Sequence, residues 1–302
     1  MTAGTRGSLA DWWKMIKRAL AAWSDDYAPS MGAALSYYSV FSMGPLLLIV
    51  VSVAGLVFGQ EAVRGEIFGQ LRSLMGEEGA KGVEALLAGA SKPEHGIIGI
   101  VLGVAVLVVG ATTVFGELQD ALDRIWRAPA RPADSGLWGL VRARFLAFGM
   151  VLGVAFLLMV SLVLNAALAA LGKWWNGAFA GWELIGQVLG FIVGYLVTTA
   201  AFAAIYKWIP RVPVRWHDVW LGAAVTSALF NVGRFLIALY IGKTGLASGF
   251  GAAGSVAVIF VWVYYSAQIF LLGAEFTWVY ANTFGSMRKV DGPAPTAPEG
   301  PR

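Results

Sequence analysis

The sequence predicts an all-α membrane protein with six transmembrane helices. Hydrophobic residues make up 58% of the 302 residues and charged residues only 13%, about half the share of an ordinary soluble domain. The mean hydropathy is +0.69, and the 38 glycines suit closely packed membrane helices better than helices in water. The apolar residues also form long continuous runs, which are typical of membrane-spanning helices rather than of membrane β-barrel strands.

Six stretches carry the roughly 20 predominantly apolar residues that a helix needs to cross the hydrocarbon layer. These predicted spans are residues 32–58, 96–116, 145–172, 184–206, 219–242 and 250–280. The fifth span contains one charged residue, Arg234, and the sixth contains Glu275 near its end. We therefore predict one transmembrane domain over residues 32–285.

The segments outside the spans have distinct compositions. In residues 1–31, apolar side chains recur at helical spacing beside Lys14, Lys17 and Arg18, which predicts an amphipathic helix in the headgroup region. The connection 59–95 is long and carries two amphipathic patches separated by the turn residues Gly76 to Gly79, which predicts two short helices. These helices form either a lid packed on the membrane surface or a gate. The proline-rich tail 286–302 is expected to be disordered.

The distribution of basic residues predicts the orientation. Of the 22 Lys and Arg residues, 15 fall in the amino-terminal segment, the connections after spans two and four, and the tail, whereas six fall in the other connections. Because cytoplasmic loops carry the excess of Lys and Arg, both termini are predicted to be cytoplasmic. The connection 207–216 mixes basic and aromatic residues, which we interpret as interfacial anchoring and attraction to anionic lipid rather than nucleic-acid binding.

Polar residues follow one face of four predicted spans. Polar side chains at membrane depth are costly unless they face protein or water, so these faces predict the lining of a cavity. The candidates for substrate binding or translocation are Ser36, Ser39, Ser42 and Pro45 in span one, Gln187, Tyr195 and Thr198 in span four, Ser227, Asn231 and Arg234 in span five, and Tyr265, Gln268 and Glu275 in span six.

Arg234 and Glu275 each leave two interpretations open. Arg234 stays charged in the bilayer, so it is either a structural clamp on carbonyl groups or headgroups, or a ligand for an anionic or zwitterionic group. Glu275 is predicted near the cytoplasmic surface, about 37 Å down span six, which makes a direct pair with Arg234 improbable. Glu275 is either a solvated interfacial carboxylate or a coupling-ion group, and Gln268 lies between the two charges in depth.

A second acidic group lies where span two ends. Thr113, Glu117, Asp120 and Arg124 share one helix face at spacings of three and four residues. This pattern is typical of a structural salt-bridge network. The alternative is that Glu117 and Asp120 relay protons or bind a coupling ion.

The sequence offers little for hydrolytic chemistry, so we predict no metal and no cofactor. Cysteine is absent, and the only histidines, His95 and His217, are assigned to opposite sides of the membrane. Phosphate-binding loop and serine hydrolase motifs are also missing from the sequence.

Several segments resemble a known family. The matching residues are 33–38 (AALSYY), 41–46 (FSMGPL), 115–126 (FGELQDALDRIW), 206–210 (YKWIP), 214–216 (VRW), and 240–251 leading into Trp262, Tyr264, Tyr265 and 271–275 (LLGAE). In order and spacing they resemble the BrkB/YihY family of bacterial inner-membrane proteins, some of which carry an older ribonuclease BN label. The resemblance implies a six-span, transport-like protein of the bacterial inner membrane.

We therefore expect a permease or exporter that moves a small solute or a lipid, not an enzyme. The alternatives are a membrane-embedded enzyme such as a nuclease, which needs convergent catalytic groups that the sequence does not supply, and a non-catalytic envelope scaffold. The expected partners are the bilayer, including anionic lipid, and the small solute or lipid substrate; no nucleic acid is expected. Glycines 99 and 103, and 149 and 153, have the spacing of helix contacts, so a homo-oligomer stays open.

Overall fold

The computed structural model of the protein describes residues 9–90, 113–129, 182–244 and 253–288, and these residues form an all-helical structure. Seven helices are present in the described ranges. They are α1 (Leu9–Asp25), α2 (Ala28–Phe58), α3 (Gln60–Ala90), α4 (113–125), α5 (Trp182–Trp208), α6 (Trp216–Thr244) and α7 (Gly254–Thr283). Predicted span three, most of span two and the tail from residue 289 lie outside the described residues.

Four of these helices are long and apolar enough to cross a membrane. The candidate spans are Ala28–Leu48 in α2, Ile185–Trp208 in α5, Trp216–Ile241 in α6 and Gly254–Thr283 in α7. They correspond to predicted spans one, four, five and six.

Two glycines set the ends and bends of the first long helices. α2 ends at Phe58 because Gly59 adopts a left-handed conformation (φ 84°) and donates its N–H to the Gly55 carbonyl. α3 breaks at Gly76, whose φ of 79° and ψ of 176° are not helical, so α3 consists of two helical segments. The second segment packs back on the bundle: Val83 is fully buried in a cluster with Val40 and Ile259.

Helix α7 is the central helix of the described bundle, because it contacts α1, α2, α3 and α6. Small residues let α6 and α7 approach closely. A Cβ atom on Gly222 would overlap the Thr277 side chain, and one on Gly273 would overlap Thr226. Closely packed small residues are the usual means by which membrane helices associate.

One end of the bundle contains the largest apolar cluster, together with several hydrogen bonds between chain segments. Leu35, Leu122, Tyr206, Val219 and Leu271, from five different helices, all belong to this cluster.

Two acidic side chains tie the same end together. Asp123 accepts hydrogen bonds from the backbone N–H of Arg211 at 2.9 Å and from its Nε at 2.6 Å. Asp218 accepts the Ser286 hydroxyl at 2.5 Å. We call this end of the molecule the tied end.

Candidate functional site

The carboxyl group of Glu275 is the most unusual buried group on α7. Glu275 lies about two turns before the end of the helix and is fully buried. Neither carboxyl oxygen has a hydrogen-bond partner among the residues that the structure describes. Burial of a carboxylate without a donor is costly unless a proton, a cation or a donor ligand compensates it. Glu275 is therefore the residue around which a functional site can be built.

Asp26 faces Glu275 from the corner between α1 and α2. The two carboxyl groups are close enough to interact directly, and Arg127 contributes a positive charge that acts on Glu275. Arg127 Nη1 donates to Asp26 Oδ1 at 2.5 Å, which leaves Asp26 Oδ2 buried and without a partner among the described residues. Asp26, Arg127 and Glu275 together form what we call the carboxyl site.

Local backbone geometry places the two outer members of the carboxyl site. Within the described ranges, Tyr27 (φ 58°) and Arg127 (φ 52°) are the only residues other than glycine with a positive φ. Tyr27 turns the chain directly after Asp26, before Pro29 in the first turn of α2. Arg127 follows α4, and its Cζ lies 5.3 Å from the Trp278 ring centroid. Strained backbone of this kind concentrates at functional sites.

Other polar atoms at the tied end also lack partners. The indole N–H groups of Trp23 and Trp126 are buried without an acceptor among the described residues, and both rings pack in the large apolar cluster. Gln268 contacts the first turn of α2. Its Nε2 lies 3.5 Å from the carbonyl oxygens of Ala28 and Pro29, while its Oε1 has no partner among the described residues. The core of the tied end therefore contains both hydrogen-bond donors and hydrogen-bond acceptors that lack a partner among the described residues.

The predicted polar face of span one lies against α7. The hydroxyl of Ser36 is buried and donates to the Phe260 carbonyl at 3.0 Å. The hydroxyl of Ser42 donates to the Ser39 carbonyl, also at 3.0 Å, and Pro45 lies farther along α2. Ser36 therefore joins two helices, while Ser42 bonds within its own helix.

The polar faces of spans four and five meet each other. Tyr195 donates its hydroxyl to the Ala224 carbonyl at 2.7 Å, and Ser227 donates to the Tyr195 carbonyl at 3.3 Å. Thr198 donates to Gly194 and Asn231 donates to Ser227, each within its own helix at 2.8 Å. Gln187 is exposed near the start of α5. These contacts hold α5 against α6.

Arg234 lies on α6 and is half-buried. In the part of the chain that the structure describes, no hydrogen bond or ion pair joins it to another residue. Tyr265 lies beside Gly233, one residue before Arg234, and packs against Ile237 and Ile241. Arg234 therefore forms no hydrogen bond or ion pair with Glu275 in the described structure.

The predicted acidic face of span two belongs to α4. Thr113 and Glu117 are half-buried and Asp120 is exposed. Arg124 donates to the backbone carbonyl of Asp26 at 3.4 Å, so this face of α4 reaches the carboxyl site through its arginine.

A separate cavity of about 570 Å³ lies beside α3. Its lining carries both signs of charge, with Glu61, Arg64, Arg72 and Glu84 among the lining residues. Arg72 is engaged with Glu77 at 3.1 Å. This cavity is formed by the connection that the sequence assigns to the outer side.

Sequence reasoning identified Glu275 but missed Asp26 and Arg127. It assigned both residues to cytoplasmic segments and used Arg127 only in the charge count. The available signal was an acidic residue two positions before the Ala28–Pro29 helix start, because a charge that becomes buried there needs a partner.

Comparison with known proteins identifies relatives along most of the chain. A "UPF0761 membrane protein" of Tolumonas auensis is 28% identical over 261 residues, covering 83% of this chain and 80% of the relative. One of Cronobacter sakazakii is 26% identical over 291 residues, covering 94% and 92%. For one of Acinetobacter baylyi, at 22% identity, the match spans only 61% of the relative's length. No solved structure matches this chain.

The family comparison covers both the candidate spans and the carboxyl site. Residues 19–297 match the family described as "Virulence factor BrkB". That range contains the segments from which the sequence predicts the BrkB/YihY family. The chain belongs to the BrkB family of membrane proteins, and the predicted resemblance is confirmed.

Proposed function

We propose that the chain is a six-span protein of the bacterial inner membrane with both termini in the cytoplasm. The tied end supports the orientation, because it brings together the segments predicted to be cytoplasmic. Asp26 of the amino-terminal segment meets Arg127 after span two, while Arg211 after span four meets Asp123. Ser286 at the start of the tail meets Asp218. Spans two and three, over 96–116 and 145–172, complete the proposed set of six.

We propose that the protein works as a permease or exporter for a small solute or a lipid. The observation that carries this proposal is the fully buried, unpaired carboxyl group of Glu275 on the central span. Glu275 lies within the candidate span Gly254–Thr283, and ionisable groups within transmembrane segments are expensive and generally mark substrate or ion pathways. The unpaired indole and amide atoms of Trp126 and Gln268 at the same end offer further donors and acceptors for a polar ligand.

Helix α1 is proposed to lie in the cytoplasmic interface and to contact anionic lipid. Met15 and Ala19 are buried against Phe276 and Val279 of α7, which fixes α1 beside the central helix. The neighbouring faces expose apolar side chains, including Trp13, together with basic residues. This arrangement suits a helix that packs on protein on one side and on headgroups on the other.

A reconstitution experiment tests the transport proposal. Purified protein in liposomes is supplied with an entrapped mixture of ¹³C-labelled amino acids, sugars and organic acids, and separately with fluorescent phosphatidylethanolamine and phosphatidylglycerol. Solute release is measured by mass spectrometry and lipid movement by dithionite quenching. We expect at least one probe to move faster than in protein-free liposomes, and Glu275→Gln to change that movement.

The control variant is Glu66→Gln. Glu66 is an exposed glutamate of α3 whose Oε1 accepts a hydrogen bond from Gln70, so this change should leave movement unaltered. Failure of every probe to move, with RNA degradation that persists through contaminant controls, would favour the enzyme alternative. A stable partner recovered in mild detergent together with inactive liposomes would favour the scaffold.

A further inference from the structure

The carboxyl site contains two carboxyl groups that face each other without a donor between them. Carboxylate oxygens accept hydrogen bonds but cannot donate them, so the groups of Asp26 and Glu275 can bond only when one carries a proton. Three of their oxygens, Asp26 Oδ2 and both oxygens of Glu275, are buried and lack a partner among the described residues. The fourth, Asp26 Oδ1, is occupied by Arg127.

The charges around Glu275 do not balance. The acidic groups that face it are Asp25 and Asp26 from the α1–α2 corner, and the basic group is Arg127. Arg124 adds a second positive charge near the Asp26 carbonyl. With Glu275 ionised, three negative charges meet two positive charges among the described residues. Of the two buried carboxyl groups, Asp26 has an ion pair with Arg127 and Glu275 has none there. One further positive charge would neutralise the group.

We infer that the carboxyl site binds one monovalent cation between the side chains of Asp26 and Glu275, with a proton as the smallest such ligand. A proton supplies the missing hydrogen bond, whereas an alkali cation accepts coordination from the unpaired oxygens. Arg127 holds Asp26 in position through Oδ1 and leaves Oδ2 for the cation. The guanidinium cannot lose its charge, so the site changes its state only at the two carboxyl groups.

The bound cation also holds the α1–α2 corner to the central helix. Arg127 has a left-handed backbone conformation, and Asp26 directly precedes the left-handed residue Tyr27, so the ion pair joins two chain segments that each contain a strained residue. Loss of the cation leaves two like charges facing each other and favours separation of this corner from α7. Use of that movement to couple transport rests on the transport function proposed above, whereas cation binding requires only the geometry of the site.

The test measures thermal stability of the full-length protein in detergent, independently of transport. The cation-bound form is populated at low pH and lost as pH rises, so we expect the wild-type Tm to fall by roughly 5 °C between about pH 6 and about pH 9. If an alkali cation can take the place of the proton, NaCl at the higher pH restores Tm, and choline chloride at equal ionic strength does not. Restoration by neither salt identifies the ligand as the proton alone.

Two variants distinguish the contribution of the carboxyl site from that of other ion pairs at the tied end. Glu275→Gln places an amide donor opposite Asp26 and mimics the proton-bound form, so its Tm should lose the dependence on pH and on Na⁺. Asp123→Asn, which breaks an ion pair elsewhere at the tied end, should lower Tm but keep the wild-type dependence. If Glu275→Gln fails to fold, infrared spectroscopy of Asp26→Asn should show loss of the protonated-carboxyl band seen in the wild type.

Two results overturn the inference: a wild-type Tm that does not depend on pH or Na⁺, and an unchanged dependence in Glu275→Gln. Inactive liposomes with an intact, Glu275-dependent Tm profile reject the transport proposal and leave the cation site standing. The two proposals therefore fail separately.

Discussion

The hydroxyl group of Tyr206 donates a 2.7 Å hydrogen bond to the carbonyl oxygen of Phe270, across the interface between α5 and α7. The same hydroxyl lies 3.2 Å from the Thr226 hydroxyl of α6. The Tyr206 ring is fully buried and packs on the Phe270 ring, with centroids 5.1 Å apart. One side chain thus joins three candidate spans a few residues from the carboxyl site.

Removal of this hydroxyl should weaken the bundle. We expect Tyr206→Phe to lower the free energy of unfolding by about 1 kcal/mol, because the ring stays packed while a buried hydrogen bond is lost. Unfolding in a denaturing detergent titration, followed by circular dichroism, measures the change. Tyr264→Phe is the control, since Tyr264 is more than a third exposed. Equal stability of the two variants would contradict the assigned role of the hydroxyl.

The pair Asp123 and Arg211 should contribute more than a surface ion pair. Asp123 is 7% exposed and accepts both a backbone N–H and the guanidinium Nε of Arg211. We expect Asp123→Ala to destabilise the protein by about 2 kcal/mol and the double-mutant cycle with Arg211→Ala to give a coupling energy of about 1 kcal/mol.

The matched comparison for that cycle is Arg72 and Glu77, which are both more than half exposed. Their coupling should lie near zero, because solvent screens exposed pairs. A coupling energy for Asp123 and Arg211 no larger than this one would show that the tied end is held by its apolar cluster alone.

The close approach of α6 and α7 should tolerate no added methyl group. A Cβ on Gly273 would lie 2.7 Å from the Tyr206 hydroxyl oxygen and would overlap Thr226, so Gly273→Ala should cost about 1 to 3 kcal/mol of stability. Gly194→Ala is the control, because nothing in the described structure lies within 4 Å of that added atom. Size-exclusion profiles and Tm in detergent measure both variants. A Gly273→Ala protein as stable as Gly194→Ala would show that these helices separate at no cost.

The sequence predicted the positions of transmembrane helices more successfully than it predicted which helices contact each other. Apolar run length is a local property, so four of the predicted spans coincide with helices long enough to cross a membrane. The partner of a polar face is not local. The sequence placed Gln268 on a cavity-lining face and between Arg234 and Glu275 in depth, but it could not show that the amide contacts the first turn of α2, 239 and 240 residues away in the chain. Helical spacing defines which residues share a face, but it does not identify the helix that covers it.

Polar residues along one face of a helix were also weaker evidence for a cavity than expected. Asn231 and Thr198 satisfy their donors with carbonyl groups of their own helices, so a polar side chain in a span need not face water. Glu275 differs because a carboxylate cannot donate to a helix carbonyl. Its acceptors therefore need an external donor, which made it the informative residue in both the sequence and the structure.

Arg234 provides the last prediction, which separates a ligand from a structural clamp. The residue is half-buried on α6 and has no ion pair with another described residue, so its guanidinium is available to a phosphate or carboxylate group. We expect Arg234→Lys to impair transport of an anionic or zwitterionic probe several-fold although it keeps the charge, because an ammonium group cannot form the bidentate contact. Lys243→Ala, at an exposed residue in the last turn of α6, is the control. Each variant is first shown to be monodisperse and then assayed in liposomes. Wild-type transport by Arg234→Ala would assign the arginine to packing or to the headgroup region, and would remove it from the binding site.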